Sequence, residues 1–210
     1  MNANSYSGAT AVKASTLVVN GSLAGSVTLT NGILGGTGSV GGLVSAGGTV
    51  APGNSIGTLT INGSFTQNGG AYQVEANGAG QSDRVNVNGA ATINGATVQL
   101  IAAAGSYANS TTYTILNATG GVSGTYSSVS SNFACLTPSL SYDANNVFLT
   151  LALQGAAFSG FGGNTVNQRA VGYALDQTYA NAAGDFATVV GALAGLSTSQ
   201  AGPALDAISG

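Results

Sequence analysis

The chain has 210 residues, of which three are basic and six acidic, with no His and no Trp. Charged residues make up 4% of it and the net charge is −3, far below the roughly 25% charge of ordinary soluble domains, so there is no basic footprint for nucleic acid. Disorder is excluded as well, because 44% of the residues are hydrophobic and disorder requires few apolar residues and much charge.

The N-terminal residues show no cationic stretch followed by an apolar core, so no signal peptide is expected within them. From Leu17 and Val19 onward the chain reads as short strands. Val27 and Leu29, Val40 and Leu43, Val50, then Leu59 and Ile61 follow the two-residue period of strands with one buried face. The same alternation continues through Phe65, Tyr72 and Val74, Val85 and Val87, Val98 and Leu100, and Tyr113 and Ile115. It ends at Val147, Phe148, Leu149 and Leu151. Gly accounts for 34 residues, and Asn-Gly pairs begin at Asn20, Asn31, Asn62, Asn68, Asn77, Asn88 and Asn94. Both residues tolerate positive φ, so each pair reads as a tight turn. Short strands, frequent turns and a repeated buried face predict an all-β stack of coils. At roughly 20–25 residues per coil there would be about six coils.

The lone Cys135 forms no internal disulfide, which suits either the cytosol or a chain that avoids cross-links during export. After Gln154 the pattern changes. Residues 155–163 read as a Gly-rich hinge, and three helical segments follow. In the first, Val166, Ala170, Tyr173 and Ala174 share a face behind a Thr165 cap. In the second, Asp185 is the expected cap, and Phe186, Val189, Val190 and Leu193 are expected to be buried. In the third, Pro203 stands near the start and Ala201, Leu205 and Ile208 share a face. The domains so read are 1–154 and 155–210, with the helical part weakly attached to the β part. The longest nearly apolar run, Val189 to Leu196, is too short to span a bilayer.

Three motif matches fall to plainer readings. Gly53-Asn-Ser55-Ile-Gly57 fits the G-x-S-x-G nucleophile pattern, but the chain has no His base and a strand pattern follows. Gly36, Gly38 and Gly41 fit G-x-G-x-x-G, with neither the helix nor the acid a dinucleotide site needs. Glu75 and Asp83 are close enough in sequence for an acid–base pair acting on a glycoside, but Asp83 beside Arg84 reads more simply as a turn residue and local charge pair. Tyr72, Tyr107, Tyr113, Tyr126 and Tyr142 read as core or coil-stacking residues rather than an exposed sugar-binding face. No catalytic, cofactor-binding or metal-ligating residue is therefore assigned, and no cofactor is expected.

The segment GGTGSVGGLVSAGGTVAPGNSIGTLTINGSFTQNGGAYQVE resembles the passenger-associated repeat of bacterial autotransporters, the type V secretion proteins. SDRVNVNGAATINGATVQL and TYTILNATGGVSGTY resemble the C-terminal, autochaperone end of such passengers. NQRAVGYALD and ALAGLSTSQAGPALDAISG resemble the helical linker that precedes the outer-membrane barrel. The resemblance implies a right-handed parallel β-helix followed by an α-helical linker, in a fragment of a larger exported protein. It further implies a non-enzymatic structural stem and folding template, displayed at the cell surface or secreted through the periplasm and outer membrane, with an adhesin as one possible parent. The implied partners are the protein's own C-terminal β-barrel and the outer-membrane assembly machinery, with a homo-oligomer formed through the helical tail and no nucleic acid. The competing reading is a fragment of a β-helical polysaccharide-degrading enzyme.

Overall fold

The computed structural model describes residues 3–4, 6–103, 105–154, 157–160 and 165–209. Of the expected hinge, residues 155, 156 and 161–163 lie outside the described residues. The fold is mostly β, with parallel strands and a C-terminal helical segment. A six-stranded sheet carries Thr16–Val18, Ile33–Gly36, Thr49–Pro52, Ala71–Ala76, Thr97–Ala102 and Ser128–Ser131 side by side, all parallel. The second sheet has twelve strands. Within it Ser39–Ser45 is a branch point: its first residues pair with Thr58–Ile61 and its last with Phe65–Gln67. From there the chain keeps two parallel columns in this sheet. One continues through Arg84–Val87 and the other through Ala91–Asn94.

Each strand therefore pairs with its counterpart one pass of the chain later. The pass is not constant in length. Thr10 pairs with Val27 and Thr16 with Ile33, 17 positions apart. Thr58 pairs with Arg84, 26 apart, and Ala91 with Val122, 31 apart. Extra residues enter at the corners, so the register of the inward faces is preserved. Leu17, Leu34, Val50, Tyr72, Val98 and Val129 form one continuous ladder. The period-two residues named above are buried, except Leu17 and Phe148, which are half-buried. Each such burial contributes roughly 1.5–3 kcal/mol before chain entropy is counted, so the ladder is the main source of cohesion.

The Asn-Gly pairs lie between strands or, at Asn94, end one, but positive φ is mostly not the reason: of the paired glycines only Gly69 (157°) and Gly95 (74°) have it. No described non-Gly residue has positive φ. Instead the Asn side chains bond from one pass to another: Asn54 Nδ2 donates to Asn20 Oδ1 (2.9 Å), Asn88 to Asn62 (3.2 Å) and Asn94 to Asn68 (2.8 Å). Several of the accompanying glycines sit directly over the backbone of the previous pass. A Cβ on Gly63 would lie 2.6 Å from the Gly41 carbonyl oxygen, and one on Gly89 2.7 Å from that of Gly63. The column needs close approach, and only a residue without Cβ permits it.

The last strands depart from the all-parallel expectation. Leu136–Tyr142 and Asn146–Leu153 form an antiparallel hairpin, and Asn146–Leu153 pairs antiparallel with Ser110–Ala118. The connection explains this: only Asp143, Ala144 and Asn145 separate the two strands, far too few for a parallel crossover. Asp143 Oδ1 accepts from the backbone N–H groups of Asn145 (2.8 Å) and Asn146 (2.7 Å) and shapes the turn. Pro138 is tolerated because its strand lies at the edge of the sheet.

Three α-helices follow: α1 (Val166–Thr178), α2 (Gly184–Ala194) and α3 (Thr198–Ser209). Thr165 caps α1 in a reciprocal capping box with Gln168, as the sequence suggests. The buried faces differ from expectation. Val166, Tyr173, Phe186, Val189 and Ile208 are exposed, and Asp185 lies in the first turn of α2 rather than at its cap. The docked faces are lined by small residues. Gly172 rests on the Phe158 backbone, Gly191 on Ser106 and Tyr107, and Gly195 on Gly105. The helices thus approach backbone to backbone, a face that a pattern of large apolar residues does not mark. Leu175, Val190, Leu193, Ala194 and Leu205 belong to the same buried cluster as the strands. Tyr107 N–H donates to the Gly191 carbonyl (3.0 Å) and Ala134 N–H to that of Leu196 (3.0 Å). The helical segment is packed against the β part, not loosely attached.

Candidate functional site

Three of the nine charged residues, Glu75, Asp83 and Arg84, come together where the loop after Gly53 meets the strands Ala71–Ala76 and Arg84–Val87. Asp83 is buried at 2% exposure. Its Oδ1 accepts the Gly57 N–H (2.8 Å), its Oδ2 the Glu75 N–H (2.8 Å), and its own N–H donates to the Glu75 carbonyl (2.8 Å). One carboxylate therefore ties three stretches of chain together. Burial raises its pKa from the ordinary carboxylate range to about 6, outweighing the two N–H bonds that favour the charged form. Glu75 adds a smaller upward push. Sequence proximity alone suggested an Asp83–Arg84 charge pair. Successive strand residues point to opposite faces, and both Asp83 oxygens are taken by backbone instead. An acid–base pair needs carboxyl groups open to substrate on both sides of a bond. Asp83 faces inward, and each of its oxygens already accepts a backbone N–H.

The other sequence candidates are dispersed. Ser55 is exposed in a bend and is followed by the strand Thr58–Ile61, not by a helix. Gly36, Gly38 and Gly41 lie over the backbones of Val19, Gly21 and Ala24, so they serve close stacking. Tyr72, Tyr107, Tyr113 and Tyr126 are buried. Tyr72 and Tyr126 rings sit 5.9 Å apart, the Tyr72 hydroxyl donates to the Ile115 carbonyl, and the Tyr113 hydroxyl donates to that of Asn77 (2.8 Å). Burial raises the pKa of each of these tyrosines. Cys135 is buried, and burial pushes its thiol up to about 12, too high for a reactive thiolate.

On the outer face, Arg84 borders a groove of about 490 Å³. In the sequence Arg84 reads only as half of a charge pair with Asp83, because a single basic residue between a turn and a strand carries no pattern of a groove. The register reveals it: Arg84 stands opposite Thr58 and beside the outward residues of Ser110–Ala118.

The two ends of the parallel stack also differ. At the C-terminal end, the hairpin and helices cover the last passes. The Tyr107 and Phe133 rings meet edge-on at 4.8 Å beneath them, and Tyr126 N–H donates to the Tyr142 hydroxyl (3.0 Å). At the other end, Thr10–Val12 and Thr16–Val18 each have one strand partner among the described residues. No protein-family profile matches this chain, and no curated protein matches it either.

Proposed function

We propose that the chain is the C-terminal stem of a bacterial autotransporter passenger, a right-handed parallel β-helix that acts as a folding template during secretion to the cell surface. The observation that carries this reading is the cover on one end of the stack: the hairpin and helices pack against the last passes, although strands with a single partner stand at both ends, Thr10–Val12 and Thr16–Val18 at one and Val122–Thr125 and Ser128–Ser131 at the other. Right-handedness rests on the strong bias of parallel crossovers within one sheet. The mechanism is vectorial. A chain crossing a pore is unfolded, and its C-terminal passes emerge first. The hairpin Leu136–Tyr142/Asn146–Leu153 forms locally, without waiting for distant chain, and Ser110–Ala118 pairs with it. Each later pass gains burial and strand pairing from the one before, which opposes backsliding without ATP. A charged fraction of 4% and a single thiol suit such transit.

The partners on this reading are the protein's own β-barrel and the outer-membrane assembly machinery, with self-association available through Val166, Tyr173 and Val189 on the exposed helix faces. The role is structural rather than enzymatic. The engagement of both Asp83 oxygens by backbone donors favours that over glycoside cleavage.

The test is surface display. The full chain, exported behind a signal peptide and followed by an outer-membrane β-barrel, should appear outside the cell as a protease-resistant body. Leu149→Ala, which opens a fully buried position near the closed end, should leave the chain protease-sensitive or stalled in the periplasm. Equal, resistant display of both chains would count against the reading.

A further inference from the structure

We infer that the groove beside Arg84 binds an acidic sugar residue, holding its carboxylate end-on against the guanidinium. Arg84 lies on an interior strand of the twelve-stranded sheet. Its neighbours Val85 and Val87 point into the core, so its own side chain points out. The guanidinium is not a loose surface cation. Its Nε is buried and has no hydrogen-bond acceptor among the described residues. The adjacent Asp83 carboxylate faces inward, and each of its oxygens accepts a backbone N–H. In a chain with three basic residues, one is half-buried with an unpaired Nε and makes no ion pair among the described residues.

The walls specify the ligand class. Thr58, Ser82, Thr112, Thr114 and Gln81 line the groove with Arg84. Among the described residues the hydroxyls of Thr58, Ser82 and Thr114 have no hydrogen-bond partner, whereas Thr112 is paired with Thr150 and Gln81 with Asn77. Three free hydroxyls, each able to donate and accept, suit the hydroxyls of a sugar ring. Tyr113 is the one aromatic residue at the groove, and it is 2% exposed with its hydroxyl donated to the Asn77 carbonyl, so it presents little ring face on which a nucleobase could stack. A volume of about 490 Å³ is in the range of small-molecule sites and far exceeds what a bare anion fills. A single guanidinium in a chain of net charge −3 favours a monoanion over a doubly charged phosphate, and the planar carboxylate matches its two-pronged donor geometry. A hexuronate unit of a glycan chain meets all of these requirements.

Backbone amide shifts of the full chain would be followed during titration with three probes: a galacturonic acid trisaccharide, the neutral galactose trisaccharide, and sodium acetate. Saturable shifts are expected at residues 57–58, 81–84 and 112–114 with the uronate, and binding about tenfold or more weaker with each of the others. Arg84→Gln should weaken uronate binding about tenfold or more while leaving the rest of the spectrum unchanged. Should that variant fail to fold, Thr58→Val must still weaken binding several-fold in a folded chain. Equal binding of acetate and uronate, equal binding of the neutral sugar, shifts that map elsewhere, or no saturable shift in the wild-type chain would each overturn the inference.

Discussion

Asp83 is the residue on which local chemistry and fold meet most directly. The folded chain retains its proton up to about pH 6, whereas an unfolded carboxyl releases it near the ordinary value of 3.8. Between those values the native state binds more protons than the unfolded one, so this group's contribution to stability is full below about pH 4 and is lost as pH rises through about 6. Asp83→Asn removes the titration. It also turns an NH2 toward one of the two N–H donors at Gly57 and Glu75, at a cost of about 1–3 kcal/mol. Urea unfolding of both chains at pH 4, 5, 6 and 7 isolates the effect, because all other groups cancel in the difference. The wild-type advantage should shrink by about 1–2 kcal/mol across that window. A pH-independent difference would show that Asp83 does not titrate there.

At the scale of elements, the corner columns decide whether one pass can lie on the next. Gly63→Ala would push a Cβ to 2.6 Å from the Gly41 carbonyl oxygen, a backbone atom that has no rotamer to move into. We expect a loss of about 1–3 kcal/mol. Gly42→Ala, whose Cβ would meet Ser64 at an ordinary 3.5 Å, should be neutral or slightly stabilising through reduced freedom of the unfolded chain. Denaturant midpoints of the two variants check this, and similar midpoints would mean that the corners relax freely. The corner positions were legible from the Asn-Gly pairs, but their mechanism was not. Asn-to-Asn bonds between passes and carbonyl oxygens packed against glycines are long-range facts, invisible in a local turn rule. The strand Leu136–Tyr142 was likewise missed, because Pro138 interrupts its pattern and an edge strand buries little. The helix faces were misread because Gly172, Gly191 and Gly195 make the contacts that large apolar residues were expected to make.

For the whole molecule, the inward ladder was the most legible feature, since a two-residue period survives any number of inserted corner residues. Val50, Tyr72 and Val98 could be assigned to the core from their own strands alone. What the period could not convey was strand direction, the lengthening of each pass, or the covering of one end by helices. Nor could it show Arg84 as part of a groove, because the groove forms only when Thr58, Ser82 and Thr114 arrive from three separate stretches of chain. The central claim is that folding starts at the end covered by the hairpin and helices and runs toward the N-terminal strands Thr10–Val12 and Thr16–Val18. Refolding kinetics of Leu149→Ala and Leu29→Ala test it most directly, because both side chains are fully buried and the chemical change is the same. Each substitution should cost about 2–5 kcal/mol at equilibrium. Leu149→Ala should express that loss mainly as slower refolding, and Leu29→Ala mainly as faster unfolding. Equal slowing of refolding at matched destabilisation, or slower refolding for Leu29→Ala, would contradict C-terminal templating.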